Sequence, residues 1–340
     1  MPSQTRRRAT GRITLEDVSR ESGVSPITAS RALRGQRNVD PQLADRVHEV
    51  ARRLGYVPDP AARALASAHS AHVAVLIPLL SNNLFVDLLE AVHETLLPAG
   101  YQTLIGVTHY EPAEEEQLLR SYMAHRPAGL LVTGFDRTEA SRRLIQTSGV
   151  PCVHVMETTT APGVYSVGFS QSAAGQAITE HLLSRGRRRV AFVAAQLDSR
   201  VMQRAEGYRR AMKAAGLYDA QLELLNPAHS SIALGAQLFG QLLRLRPDVD
   251  AIFFCNDDLA QGGLLAALRL GVGVPSQVAV AGFNDLAGSD QMLPPLTTVR
   301  TRRTEIGRCA ARMLLQLMRK EPMPSAGIDL GYELVVRGST

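Results

Sequence analysis

Apolar positions in the first 55 residues recur with a helical period in three short bursts. Leu15, Val18 and Ser19 mark one inward face, and Glu21-Ser22-Gly23-Val24 interrupts it. Gly23 supplies the positive φ that a tight inter-helix turn needs. Ser25 is placed to cap the next helix, with Pro26 in its first position. Ala29 and Leu33 then turn inward at i, i+4. Leu43, Val47, Val50, Ala51 and Leu54 repeat the period, and Gly55 ends it. The outline is a helix-turn-helix whose second helix leaves small or hydrogen-bonding side chains and Arg31 outside. That face suits a major groove. An ordinary helical hairpin in a small domain has the same outline, so the pattern alone leaves both readings open.

Tyr56-Val57-Pro58-Asp59-Pro60 reads as a rigid connector. AARALASAHSAH after it has helix-forming composition but little to bury, as expected of a linker that is helical only with a partner. From His72 the texture changes. VAVLIPLL, YQTLIGV, GLLVTG, VPCVHVME and VYSVGF are strand-like apolar runs. Between them lie a helical stripe (Phe85, Leu88, Leu89, Val92, Leu96) and the helices EEEQLLRSYMAHR and EASRRLIQTSG. After a seam near Gly168–Gln171 the pattern restarts. Helices over 173–185, 204–215, 233–245 and 259–270 accompany the strands RVAFVAA, LELLN, AIFFCN and VAVAGF. Such alternation predicts parallel sheets flanked by helices, divided here between two sheets.

The 340 residues are 45% hydrophobic and 20% charged, a globular composition with no apolar run long enough for a membrane span. The basic start, MPSQTRRRATGR, has no apolar segment behind it, so it is not read as a secretory signal. Charge is unevenly placed. Residues 1–71 hold twelve Arg, no Lys and seven acids, a net of +5, while the remaining 25 bases and 25 acids cancel. The entire excess sits on the segment with the helix-turn-helix pattern, which favours a polyanion partner and salt-sensitive binding. Cys152, Cys255 and Cys309 are far apart in sequence and read as free thiols in a reducing cytoplasm. No Cys/His spacing suggests a metal site, and no cofactor is expected.

Ligands of open parallel sheets gather beyond the strands' carboxyl ends. Here those ends carry Asn83 and Phe85, Thr108 and Tyr110, Glu157, Asn256 and Asn284, with Arg204 opening a helix after RVAFVAA and its loop. One guanidinium among amides, a carboxylate and aromatic rings suits a small hydroxylated ligand with an acid group. Each residue has a plainer reading: Asn256 and Asp257 as helix caps, Asn284-Asp285 as a turn, Arg204 as a surface charge, Tyr110 as core. Walker loop, dinucleotide fingerprint and nucleophile elbow are all missing, so no enzyme is indicated.

ITLEDVSRESGVSPITASRALRG, RVHEVARRLGYVPDPAARALAS, VAVLIPLLSN, FCNDDLAQGGLLAAL, VAVAGFND and PPLTTVRT resemble the lactose-repressor (LacI/GalR) family of bacterial transcription regulators. SNNLFVDLLEAVHETLLPAGYQTLIGVTHY and GFNDLAGSDQMLPPLTTVR look like its gluconate-regulator branch. The resemblance implies an all-α helix-turn-helix headpiece plus an α/β periplasmic-binding-protein-like core of two parallel-sheet subdomains. The headpiece would be residues 1–58, the hinge helix and linker 59–71, and the effector-binding and dimerisation core 72–340. The core's N-subdomain would be about 72–169 and 302–327, and its C-subdomain about 170–301 and 328–340.

The implied DNA contacts are Thr14, Ser25, Pro26, Ile27, Thr28, Ser30 and Arg31, with Ala62 and Leu65 on the hinge and Leu65 wedged into the minor groove. Implied effector contacts are Asn83, Phe85, Thr108, Tyr110, Glu157, Phe169, Arg204, Asn256 and Asn284. Asn284 departs from the aspartate common at its position, METTTAP lacks the branch's aromatic after the glutamate, and Pro26-Ile27 differs from the lactose repressor's pair. The C-terminus GYELVVRGST carries no leucine-heptad tail, so a homodimer is expected. The implied whole is a cytoplasmic repressor, released from double-stranded palindromic operator DNA by a sugar acid and independent of membranes. The rivals are a transporter's solute-binding module, against which the basic headpiece counts, and a sugar-acid enzyme, which lacks a paired acid and base.

Overall fold

The computed structural model describes residues 13–35, 38–57, 70–80 and 83–340, with the Asn83 side chain left aside. Contacts divide the chain at Ser70–Ala71 into two units.

The first unit holds helices α1 (Leu15–Ser22), α2 (Pro26–Leu33) and α3 (Pro41–Leu54). Thr14 and Asp17 form a reciprocal capping box at the start of α1. Gly23 closes α1 at φ 67°, and Gly55 closes α3 at the same angle. Val18, Ala29, Ala32, Val47, Val50 and Ala51 are buried together, with Leu15, Val24, Leu33, Leu54 and Tyr56 packed around them. The turn is braced from within: the Ser19 hydroxyl donates to Val24 O and the Ser22 hydroxyl to Val18 O. Arg53 ties α3 back to Glu21 at 2.8 Å. The hinge positions Ala62 and Leu65 lie outside the described residues.

The second unit begins with β1 (His72–Ile77), α4 (Asn83–Leu96), β2 (Gln102–Val107), α5 (Pro112–Ala124), β3 (Gly129–Thr133), α6 (Glu139–Thr147), β4 (Cys152–Val155) and β5 (Tyr165–Gly168). There follow α7 (Gln171–Ser184), β6 (Val190–Ala195), α8 (Ser199–Ala214), β7 (Glu223–Asn226), α9 (Ile232–Leu245), β8 (Ala251–Phe254), α10 (Asp257–Leu270) and β9 (Ala279–Ala281). The unit ends with β10 (Thr298–Thr301), α11 (Arg303–Met318), β11 (Gly327–Asp329) and β12 (Tyr332–Val335). One parallel sheet has the order β11-β5-β4-β3-β1-β2, the other β7-β6-β8-β9, and β10 pairs antiparallel with β12. Central strands are apolar throughout because helices cover both faces; every residue of β6 is buried.

The observed elements differ from the pattern-based ones at their ends. The first strand stops at Ile77 rather than Leu80, since Pro78 has no N–H for the ladder. α8 begins at Ser199, five residues before Arg204, because Asp198 caps it through Arg200 N and Val201 N. α7 and α10 likewise begin two residues early, behind Ser170 and Asn256 caps. The run from β10 to β12, including α11, is not assigned from the pattern, although Ile306, Ala310, Met313 and Leu314 are spaced as a helix face. The expected division at about 327/328 falls inside β11, whose pairing from Gly327–Ser166 to Asp329–Gly168 keeps the strand with the first sheet.

α7 and α8 touch backbone to backbone at two glycines. A Cβ on Gly207 would lie 2.0 Å from Ser172 O, and one on Gly175 would lie 2.5 Å from Arg204 O. This close crossing sets how far Arg204 stands from the sheet. Gly207→Ala is therefore expected to destabilise the chain by about 2 kcal/mol or more in urea unfolding. A loss below about 0.5 kcal/mol would show that the two helices part without strain.

Candidate functional site

In the headpiece, α2 presents Pro26, Ile27 and Arg31 outward, with Thr28 and Ser30 half-buried. Ile27, a large apolar side chain, is 65% exposed. The Arg31 side chain bonds no other described residue. Thr14 and Ser25 are exposed helix caps: Thr14 accepts from Asp17 N at 3.3 Å and Ser25 from Thr28 N at 3.2 Å. Both hold helix N-termini, whose free N–H groups favour phosphate. The exposed face of α2 thus combines apolar, hydroxyl and guanidinium groups on one rigid helix.

In the core, two adjoining chambers open between the lobes at the carboxyl ends of the strands. One is lined by Thr108, Tyr110, Glu111, Glu115, Gly134, Asp136, Glu157, Asp198 and Arg200, among others. The second is lined by Phe85, Tyr110, Gln196, Arg200, Arg204, Ser230, Asn256 and Asn284, among others. Tyr110, Asp198 and Arg200 belong to both. Seven expected effector contacts therefore meet here. Asn83 is left aside because its side chain is not described. Phe169 lines neither chamber: it is 1% exposed and stacks on Phe283 at 6.3 Å between ring centres.

Arg204 is buried rather than a surface charge. Its Nε donates to Gln171 Oε1 at 2.8 Å, its Nη1 to Cys255 O at 2.6 Å, and its guanidinium lies 3.9 Å from the Phe283 ring centre. Burial lowers its pKa. Nη2 bonds no described residue and is left for the cleft. Arg204 is not the only base at the site, as the sequence suggested. Arg200 lines both chambers, bonds Asp198 at 3.3 Å and lies 5.6 Å from the Tyr110 ring centre. It was missed because the helix was placed too late. Tyr110 is a cleft residue, and burial pushes its hydroxyl up to about 12.

Asn256 combines the two readings the sequence left open. Its Oδ1 caps α10 by accepting from Leu259 N at 3.0 Å, its Nδ2 donates to Ser230 at 2.8 Å, and it lines the second chamber. Glu157 accepts from Gln203 Nε2 at 2.8 Å across the cleft. Gln196, Gln171 and Gln203 were not singled out. Gln196 follows β6 directly, so the strand-end rule that found the others would have found it.

Of the eight described non-glycine residues with positive φ, His109, Tyr110, Met156, Gln196, Asn284 and Asp285 stand just beyond strands at this edge. Backbone strain is thus concentrated where a ligand would sit. No group of His, Cys, Asp or Glu among the described residues could hold a metal ion.

A helix-turn-helix headpiece ahead of a two-lobed α/β core with a polar cleft defines a ligand-responsive DNA-binding transcription regulator. The model of bacterial regulatory proteins of the lacI family matches residues 14–59, and a periplasmic binding protein-like domain matches residues 179–340. The chain is 57% identical to the HTH-type transcriptional regulator GntR of Pseudomonas aeruginosa, over 98% of this chain and 97% of that one. It is 49% identical to the crystal structure of transcription regulator GntR from Chromobacterium violaceum, with TM-score 0.77 over 79% of this chain and 98% of that one. A LacI-family regulator from Silicibacter pomeroyi superposes with TM-score 0.90 at 34% identity, covering 96% of this chain and 99% of that one. The chain belongs to the lacI family of bacterial regulatory proteins.

Asp257, the first residue of α10, holds the Asn284 loop. Its fully buried carboxylate accepts from Leu286 N at 2.7 Å, Ser289 at 3.1 Å and Thr298 at 2.7 Å, with no cation bonded to it. Burial raises its pKa from 3.8 to about 6. A raised carboxyl pKa contributes stability that is complete below the unfolded value and is lost as pH rises through the folded one. Relative to Asp257→Asn, the unmutated chain should gain about 1 kcal/mol of unfolding free energy between pH 7 and pH 5. Urea melts of both proteins check this; parallel curves would mean that its three donors keep the carboxylate ionised.

Proposed function

We propose that the cleft binds a sugar acid, with gluconate the leading candidate and 2-ketogluconate or a phosphorylated form behind it. The observation that carries this reading is one buried guanidinium edge, Arg204 Nη2, set among hydroxyl-reading amides and carboxylates. A guanidinium pairs with a carboxylate, while Glu157, Asn256 and Asn284 bond hydroxyls and Phe85 covers carbon. The name GntR carried by two of the similar proteins supports it. The cleft holds its ligand without turning it over. The protein acts in the cytoplasm as a homodimer on double-stranded palindromic operator DNA, and the sugar acid releases it. α2 enters the major groove with Pro26, Ile27 and Arg31 at base edges and Thr28 and Ser30 nearer phosphates. Ala62 and Leu65 read the minor groove, a role that rests on the family resemblance alone.

Gel shifts on an operator-length duplex test the output. Millimolar gluconate is expected to weaken operator binding, and raising salt from 50 to 200 mM to weaken it by about tenfold or more. Arg204→Lys keeps the charge but loses the planar fork, so gluconate affinity by calorimetry should fall about 10- to 100-fold. An unchanged titration rejects the carboxylate assignment. Leu65→Ala should lower operator affinity far more than affinity for unrelated DNA. Equal losses on both would refute the wedge.

A further inference from the structure

Gln196 and Asn284 line the second chamber, and each carries a buried polar atom that bonds no described residue: the side-chain nitrogen of Gln196 and the side-chain oxygen of Asn284. The first can only donate and the second can only accept. Gln196 is fixed where it stands. Its φ is 54°, its N–H donates to Asn226 O and Ala228 O at 3.1 and 2.9 Å, and its carbonyl accepts from Asp198 N at 2.5 Å. A buried donor without an acceptor lowers the stability of the free chain, and an apolar side chain of the same length would avoid that loss. Such locally unfavourable groups belong where a ligand supplies the partner. The other donors of this chamber narrow what that partner is. Arg204 presents Nη2 to the same space, and Asn256's oxygen is already occupied by Leu259 N and Ser230.

We infer that Gln196 is a specificity-determining residue: its amide nitrogen donates to an oxygen at the effector's acid end, alongside Arg204, while Asn284 accepts from a hydroxyl of the same ligand. The inference rests on the sugar-acid reading of this cleft and narrows it. The ligand is a hydroxy acid, in which an acceptor-rich acid end and a hydroxyl donor are both required. A plain carboxylic acid leaves Asn284 unpaired, and a neutral polyol leaves Arg204 without its anion.

Gln196→Met removes the donor while keeping an unbranched side chain of similar length, and Gln196→Glu reverses its polarity. For Gln196→Met we expect a melting temperature unchanged or raised by about 2 °C, and gluconate affinity at least about tenfold weaker. Gln196→Glu should lose gluconate binding by about 100-fold or more, because a second anion faces the first. A melting temperature lowered by more than about 3 °C in Gln196→Met would show that the amide supports the fold, and would overturn the inference. Gluconate affinity within about twofold of the unmutated protein would overturn it as well. So would acetate or glucitol binding the unmutated protein as tightly as gluconate does. Failure of the unmutated protein to bind gluconate sinks the sugar-acid reading instead, and the melting temperature then decides alone whether the amide has a structural partner.

Discussion

The cleft is built around one buried cation. Arg204 has no carboxylate bonded to it; it is held by an amide oxygen, a backbone carbonyl and the face of Phe283. Burying a guanidinium this way is unfavourable unless its N–H groups are paired, and each partner comes from a different element. Gln171 opens α7, Cys255 follows β8, and Phe283 follows β9. Gln171 then passes the connection on, donating through Nε2 to Met156 O at 3.0 Å at the end of β4. A single side chain thereby fixes three strand ends and a helix start, and it spans both sheets. The glycine contact between α7 and α8 is part of the same constraint, because it sets where the Arg204 backbone stands.

A ligand that takes the free edge of Arg204 therefore acts on a group already bonded toward both lobes. Other bonds cross near the same place. Glu157 meets Gln203, and Arg303, which opens α11, bonds Asp87 of α4 at 2.8 Å and the backbone oxygen of Asn284. Asn284 is in turn held by the loop that Asp257 anchors. The cleft residues and the lobe contacts are thus largely the same residues. This is the arrangement a regulator needs, since a ligand shifts the balance between two lobe arrangements only through contacts that differ between them.

Much of this could be read from the chain. The helix-turn-helix was legible because its signals are local: Gly23 for the turn, Ser25 and Pro26 for the next helix start, and alternating burial on short helices. The parallel strands were legible because burial on both faces leaves continuous apolar runs such as VAVLI and VAFVAA. What stayed hidden depended on contacts distant in sequence. Nothing local distinguishes Arg200 from a surface helix charge; its role emerges from Tyr110, ninety residues earlier. Phe169, which the family resemblance places at the effector, lines neither chamber and stacks on Phe283. β10, β11 and β12 escaped assignment because strands of three or four residues carry little periodicity.

The charges of the two chambers give the cleft a direction. Glu111, Glu115, Asp136, Glu157 and Asp198 line the first chamber, yet not all of this charge faces a ligand. Glu115 is paired with buried Arg137 at 2.7 Å, and Asp198 caps α8 while bonding Arg200. Glu157 keeps one oxygen beyond its bond from Gln203. Asp198 and Arg200 line both chambers, and the second adds donors from Arg204 and Gln196. On the proposed sugar-acid reading, an extended hydroxy acid would lie in one orientation, with its carboxylate at the donor end and its hydroxyls toward Glu157. Turned around, it would set an anion against carboxylates and leave the buried guanidinium edge unpaired, losing both favourable interactions at once. On that reading charge selects the orientation, and Asn284 and Gln196, each with an unsatisfied atom, would discriminate among acids that already lie the right way round.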